Sequence, residues 1–332
     1  MRTKVSSLSL LGSAALLALS LPIATAFADN GGATRDDGVA TRTPGTQLER
    51  IHFVSEGERC FRVVTAGVRT RHAVGAVGGT AGGTIILPPG PAAGNIIWAG
   101  LYWVILGGAP PINAVTLNGF AVAPAPLPVT ASPCWAHPSA FAYFADVTPF
   151  VVAGANVVAG LDDSGAFNVS PESEGASLVV IYNDPHTTAC EVIVLDGNDL
   201  LSMAGQVIDN ALPSFCPPGL PARLHFIGGD GQTMPTYPFT DNQLWNGLPL
   251  GDGDDFDASD PPAPGATPDL AWDTDTYLVP AVPPYVASID SGAGPSYDCI
   301  NWIVTVLEVG EFPCQATPTQ SKSWGQIKSL FK

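Results

Sequence analysis

Residues 251–260 read GDGDDFDASD: five aspartates in ten positions, two glycines and no base. Carboxylates packed this closely on a glycine-bearing loop are the donors that hard cations take, because such ions prefer oxygen ligands. The helical calcium-hand pattern is not met. Counted from Asp255, Asp260 stands where its glycine belongs and Ala266 where its closing glutamate belongs. An irregular oxygen cage needs no fixed spacing. Asp252, Asp254, Asp255, Asp257 and Asp260 are its expected donors, with Asp273 and Asp275 as further ones, and calcium as the expected ion. The competing reading is a solvated acidic loop before PPAPGATP.

Other chemistry finds less footing. There is no GxSxG, and Ser177 in EGASLVV reads as a strand-start serine rather than a nucleophile. His52, His72, His137, His186 and His225 are scattered, with no HExxH pair. Glu172 and Glu174 in SPESEGAS form the closest glutamate pair, the type of arrangement glycoside hydrolysis uses. Trp98 and Trp103 lie within an apolar run and read as core. Trp135, Trp245 and Trp272 sit in loop-like contexts, where exposed rings would stack on sugar faces.

These residues must be positioned by strands. From Ile51 onwards short apolar runs alternate with Gly, Pro, Asn and Asp, among them NIIWAGLYWVIL, ASLVVIY, CEVIVLDG and CINWIVTVLEV. Valine, isoleucine and aromatic residues dominate them, as in strands. Thirty-six glycines and thirty-two prolines punctuate too often for long helices. Asn118-Gly119 in VTLNGFAV predicts a type I′ hairpin. NDLLSMAGQVI is the one helical candidate. The expected fold is all-β, a β-sandwich or jelly roll in two lobes, with a short flexible C-terminal tail.

The organisation follows. Arg2 and Lys4 precede an apolar stretch and Ala26-Phe27-Ala28, so residues 1–28 read as a secretory signal and not as a transmembrane anchor. Residues 29–50 read as a flexible leader, 51–196 as the first lobe, 197–314 as the second and 315–332 as linker and tail. YFADVTPFVVAGANVVAGL leading to EGASLVVIY parallels WDTDTYLVPAVPPYVASI leading to CINWIVTVLEV, which suggests a duplication with a split near residues 197–221. The tail SWGQIKSLFK carries two lysines, with Lys322 just before it, and no acid.

The net charge is −17. Seven arginines fall between Arg35 and Arg71, whereas Arg223 is the one base between His72 and Ser321. Nucleic acid is excluded as a partner because no basic stripe exists to meet phosphates. Such an acidic body draws cations or a basic partner. Cys60, Cys134, Cys190, Cys216, Cys299 and Cys314 form an even set in an exported chain and read as disulfides of open connectivity.

The stretch TIILPPGPAAGNIIWAGLYWVILGGAPPINAVTLNG, with FADVTPFVVAGANVV and EGASLVVIYNDP, resembles an uncharacterised family of secreted bacterial and archaeal surface domains. The AGLYW, LNG, DVT and EGASLVVIY elements carry the likeness, across roughly residues 80 to 311. The resemblance implies a β-sandwich exported to the cell surface or beyond, and no catalytic residues. The SWGQIKSLF ending also looks like short C-terminal tags on secreted proteins of Gram-negative lineages. The expected function is therefore a secreted cell-surface or extracellular structural or adhesive protein, calcium-stabilised, without catalysis. Its partner would be a surface or extracellular protein or a glycan. The alternative is a carbohydrate-binding or carbohydrate-processing module.

Overall fold

The computed structural model describes residues 48–54, 61–73, 79–92, 94–131, 137–184, 187–188, 191–212, 214, 216, 218–232, 239–251, 253–267, 270–292, 297–310 and 312–313. The expected signal segment, nearly all of the expected leader, the expected tail, Asp252, Trp135, His186, Cys60, Cys134, Cys190 and Cys314 lie outside the described residues. Among the described residues the regular structure is entirely β-strand, as the apolar runs and turn residues predict.

Four antiparallel sheets stack as layers. The first holds Thr80–Ile86, Ala155–Asp162, Thr116–Leu117 and Phe120–Ala121, in that order. In the second, Phe61–Arg69 is followed by Glu172–Asn183, Ile96–Gly107, Ser139–Asp146 and Ala125–Pro126. The third runs Leu48–Val54, Glu191–Leu201, Ile300–Val309, Leu220–Gln232 and Leu270–Ala281. Val207–Ala211, Val286–Asp290, Asn242–Trp245 and Leu248–Pro249 make the fourth.

A separate apolar core fills each gap. Leu101, Trp103, Ile105, Leu178 and Val180 meet Ile85, Leu117 and Val158 between the first and second layers. Tyr102, Val104, Val179 and Ile181 meet Val192, Val194, Val304 and Trp272 between the second and third. Leu195, Phe226 and Trp302 meet Trp245, Ala287 and Ile289 between the third and fourth. Strands of the middle layers are therefore covered on both faces, which is why IIWAGLYWVIL is a nearly continuous apolar run and INWIVTVLEV is broken only by Asn301, Thr305 and Glu308. The outer strand ANVVAGLD keeps the inside-outside alternation of a half-exposed sheet.

The strand orders expose the duplication. Phe61–Arg69, Glu172–Asn183, Ile96–Gly107 and Ser139–Asp146 are neighbours in the same order as Glu191–Leu201, Ile300–Val309, Leu220–Gln232 and Leu270–Ala281. The two outer sheets match in the same way, strand for strand. Both carry an Asn-Gly hairpin in which both turn residues have positive φ, Asn118-Gly119 and Asn246-Gly247. The repeats thus span 61–183 and 191–309. The boundary expected at residues 196 and 197 falls inside Glu191–Leu201, and Leu48–Val54 pairs with that strand in the third layer.

The helical reading of NDLLSMAGQVI is corrected. Asp199, Leu200 and Leu201 pair with Trp302, Asn301 and Ile300, and Val207 onwards pairs with Asp290 onwards. Between them Gln206 Oε1 accepts the Ser202 amide at 3.0 Å and Gly205 turns at φ 68°. Ladder pairing on both sides outweighs the weak helical spacing.

Candidate cation-binding groove

The acidic stretch leaves the fourth-layer hairpin and runs across the edges of both sandwiches. Phe256 fills the core between the third and fourth layers, while Ala263 reaches the core between the first and second. Along the way Arg69 Nε donates to the Asp260 carbonyl at 2.6 Å, and the Arg69 amide donates to the Pro261 carbonyl at 3.1 Å. Three deposits of apolar or backbone contact thus pin a segment whose charges repel.

Gly251, Asp254, Asp255, Asp257, Ser259, Asp275 and Tyr277 line an open groove of about 380 Å³. Beneath it lie two fully buried side chains of the strand region 241–245, Asp241 and Gln243. Asp241 Oδ1 accepts the amides of Asp255 and Phe256 at 3.2 and 3.0 Å. The Gln243 amide donates to Asp255 Oδ2 at 2.7 Å, and Gln243 Nε2 donates to Asp275 Oδ2 at 2.6 Å. Asp241 Oδ2 and Gln243 Oε1 are buried without a hydrogen-bond partner. Behind the groove Asp273 accepts the Ala258 amide at 2.5 Å and the Ser259 hydroxyl at 3.0 Å.

Desolvation dominates the electrostatics here. Burial, aided by the charges of Asp255 and Asp254, pushes the Asp241 carboxyl up to about 8. Burial and then the charges of Asp260, Asp257 and Asp241 carry Asp275 to about 8, against the bond from Gln243. Asp260 rises to about 7, chiefly through burial. Asp273 is held well above its ordinary range by burial and by Asp275. Carboxylates out of water must be protonated, paired or bound to a cation.

The sequence-predicted donors divide. Asp254, Asp255, Asp257 and Asp275 line the groove. Asp260 instead accepts from the Thr274 hydroxyl at 2.6 Å, and Asp273 is fully buried behind the loop. Among the described residues no three His, Cys, Asp or Glu side chains converge closely enough to form a ready-made metal cage. Asp241 and Gln243 were missed because TDNQLW looks like an ordinary strand entry. Two polar side chains at inward-facing places of a short strand were the available signal.

The other sequence candidates are located as follows. Trp245 and Trp272 are 3% and 0% exposed, so neither presents a ring face to a sugar. Trp272 Nε1 donates to Ser177 Oγ at 2.6 Å, which also places that serine deep in the interior. Glu172 and Glu174 are buried as well. Arg71 Nη2 donates to Glu174 Oε1 at 2.6 Å, while His72 Nε2 and His137 Nε2 lie 2.9 and 2.8 Å from the Glu172 oxygens. Burial works against the Glu172 charge, but the bonds from the two histidines and the Arg71 charge outweigh it and hold the carboxyl below its ordinary value. This pair is a closed ion cluster rather than two carboxylates flanking a cleft. The basic N-terminal segment therefore supplies cations to the acidic body, through Arg69, Arg71 and Arg62, whose Nε lies 3.9 Å from Glu308.

No family model matches the chain, and no curated protein matches it either.

Proposed function

We propose that the chain is an exported protein of the cell surface or extracellular space that acts by binding or assembly, with calcium as the structural cation of its acidic groove. One observation carries the cation: two buried oxygens, Asp241 Oδ2 and Gln243 Oε1, lie without partners behind a groove lined by four aspartates. Calcium takes about six to eight oxygens in flexible geometry, which suits a loop whose donors are spread rather than converged. Export is supported by the N-terminal segment and by the family resemblance of the AGLYW, LNG, DVT and EGASLVVIY elements. The disulfide reading belongs with it, and neither described cysteine is a free thiol. Burial of Trp245 and Trp272 removes two of the three rings the carbohydrate-module alternative relied on, the third being Trp135.

Calcium titration tests the reading. Binding confined to the folded form raises stability by about 2.7 kcal/mol at a hundredfold excess over Kd. Millimolar calcium should therefore raise the melting temperature well beyond sodium chloride of equal ionic strength. Replacing Asp254, Asp255 and Asp257 together by asparagine should abolish that excess. Equal effects of the two salts would return the stretch to a solvated loop.

A further inference from the structure

The first sandwich has its own mouth where the second has the acidic groove. It opens beside the Asn-Gly hairpin, with Trp103, Asn113, Val115, Tyr143, Gly160 and Asp162 in its lining and about 50 Å³ of space. That is room for a few waters or the end of a slender chain. Tyr143, half-buried, forms one wall, backed by its cross-strand partner Trp103, which is buried and stacks on it with centroids 5.4 Å apart and planes 18° from parallel. Asp162 supplies the single charge. It is 3% exposed and accepts the Ile112 amide at 2.7 Å, the Asn113 amide at 3.3 Å and the Asn113 side-chain amide. The ion pairs among the described residues involve Arg62, Arg71, Arg223, His72 and His137, and none of them reaches Asp162. A buried carboxylate beside a half-buried tyrosine ring, with no base paired to it among the described residues, is complementary to one kind of group. Ring faces attract a cation through their quadrupoles, methylenes lie well on them, and the carboxylate takes the charge.

We propose that this cleft binds an alkylammonium group, the end of a lysine side chain, with its methylenes against Tyr143 and its ammonium toward Asp162. The duplication gives the site its contrast. Asn118 and Asn246 donate to the equivalent carbonyls of Phe150 and Val282, and counting back seven residues along each chain places Asp275 where Tyr143 stands. One mouth is thus walled by carboxylates and the other by a tyrosine ring with one acid. The first suits a hard, hydrated ion and the second a soft, organic cation. The strongly acidic body raises the local concentration of either.

The test uses the full exported chain and Nα-acetyl-lysine methylamide, with Nα-acetyl-norleucine methylamide as the uncharged control at constant ionic strength. Two-dimensional amide NMR reads the site directly. The lysine probe should shift the Val115 and Gly160 amides and the Trp103 indole in a saturable way, and the norleucine probe should bind at least tenfold more weakly. Asp162→Asn and Tyr143→Leu should each weaken binding about tenfold. Asp162 also holds the 112–113 turn, so the Tyr143 variant keeps the test valid if the asparagine variant misfolds. Equal binding of the two probes would make the cleft merely apolar and overturn the proposal. Shifts spread over Asp254, Asp255 and Asp257, or no shift at all, would overturn it too. Neither result bears on calcium, which is read by melting temperature.

Discussion

Asn118 and Asn246 perform the same task in the two sandwiches. Asn118 Oδ1 accepts the Val157 amide at 2.8 Å while its Nδ2 donates to the Phe150 carbonyl at 2.8 Å. Asn246 Oδ1 accepts the Val286 amide at 2.9 Å while its Nδ2 donates to the Val282 carbonyl at 2.9 Å. Each residue also sits at positive φ, where asparagine is tolerated and most side chains are not. A single side chain thereby closes the hairpin onto the neighbouring strand in each repeat.

Alanine at either position removes two hydrogen bonds and adds left-handed strain. Asn246→Ala should lower stability by about 2–3 kcal/mol, since each lost bond is worth about 1 kcal/mol and the strain about as much again. Asn118→Ala should cost more, because Asn118 Nδ2 also reaches Asn156 Oδ1 at 2.9 Å. Urea unfolding of the two variants ranks them. A reversed order would mean the second repeat depends on its hairpin more than the bonding shows.

Gln243 joins two sheets, with its amide nitrogen on Asp275 Oδ2 of the third layer at 2.6 Å. Gln243→Met keeps the volume and removes that donor, leaving a buried carboxylate poorly satisfied. Stability should fall by about 1–3 kcal/mol in calcium-free buffer. Denaturant midpoints with chelator present measure this directly.

The buried acids set a pH dependence of unusual sign. Asp241 and Asp275 titrate near 8 in the folded chain and Asp260 near 7, against 3.8 ordinarily. Between these values the folded form keeps protons that the unfolded form releases. Raising the pH through this window therefore removes stability, which is full below about pH 4 and lost above about pH 8. In chelator, the urea midpoint should drop from pH 6 to pH 8.5, and Asp241→Asn should flatten the drop. A midpoint that climbs over that range would show the carboxyls to be ionised throughout.

His225 acts in the opposite direction. Burial, with the Arg223 charge adding, holds its imidazole down at about 3, and its Nδ1 lies 2.8 Å from Thr276 Oγ1. The folded form resists a proton that the unfolded form accepts near 6.5, so stability is present above that pH and lost as pH falls toward 3. His225→Gln should remove this part of the acid sensitivity. Thermal melts of both proteins at pH 7 and pH 4.5 compare it, and equal losses would exclude His225 as the cause.

Much of this architecture was legible because the strands state their burial in their composition. The doubly covered strands are mostly apolar, and LNGF announces its hairpin without any tertiary knowledge, a signal that WNGL also carries but that went unread there. The duplication was visible only over its second half, since Phe61–Arg69 and Glu191–Leu201 share a position but little sequence. What stayed hidden depends on packing between repeats. Trp272 in LAWDTD looks like a loop tryptophan because aspartates flank it, yet Asp273 and Asp275 turn toward the acidic loop while the ring fills the gap between layers. Ser177 gave no sign that its hydroxyl would receive that indole. Asp241 and Gln243 belong to the groove only because the acidic loop after their hairpin folds back over them.

Gly175 tests how tightly those repeats are joined. It lies in Glu172–Asn183 of the second layer, directly beneath Trp272 of the third. A Cβ added there would press into Trp272 Cγ and Cβ and come within 2.7 Å of the Val68 carbonyl. Neither obstacle can yield cheaply. The indole is fully buried and tethered to Ser177, and the carbonyl belongs to the adjacent strand in the same sheet. Gly175→Ala should therefore cost at least about 3 kcal/mol, in the range of severe overpacking. The same change at Gly119, whose Cβ direction is open, should act only through its positive φ of 82° and cost about 1–2 kcal/mol. Comparing the two by urea unfolding separates packing between sandwiches from local backbone strain. If Gly175→Ala proved the milder, the second and third layers would have to slide freely over one another, and the shared core at Trp272 could not be what unites the repeats.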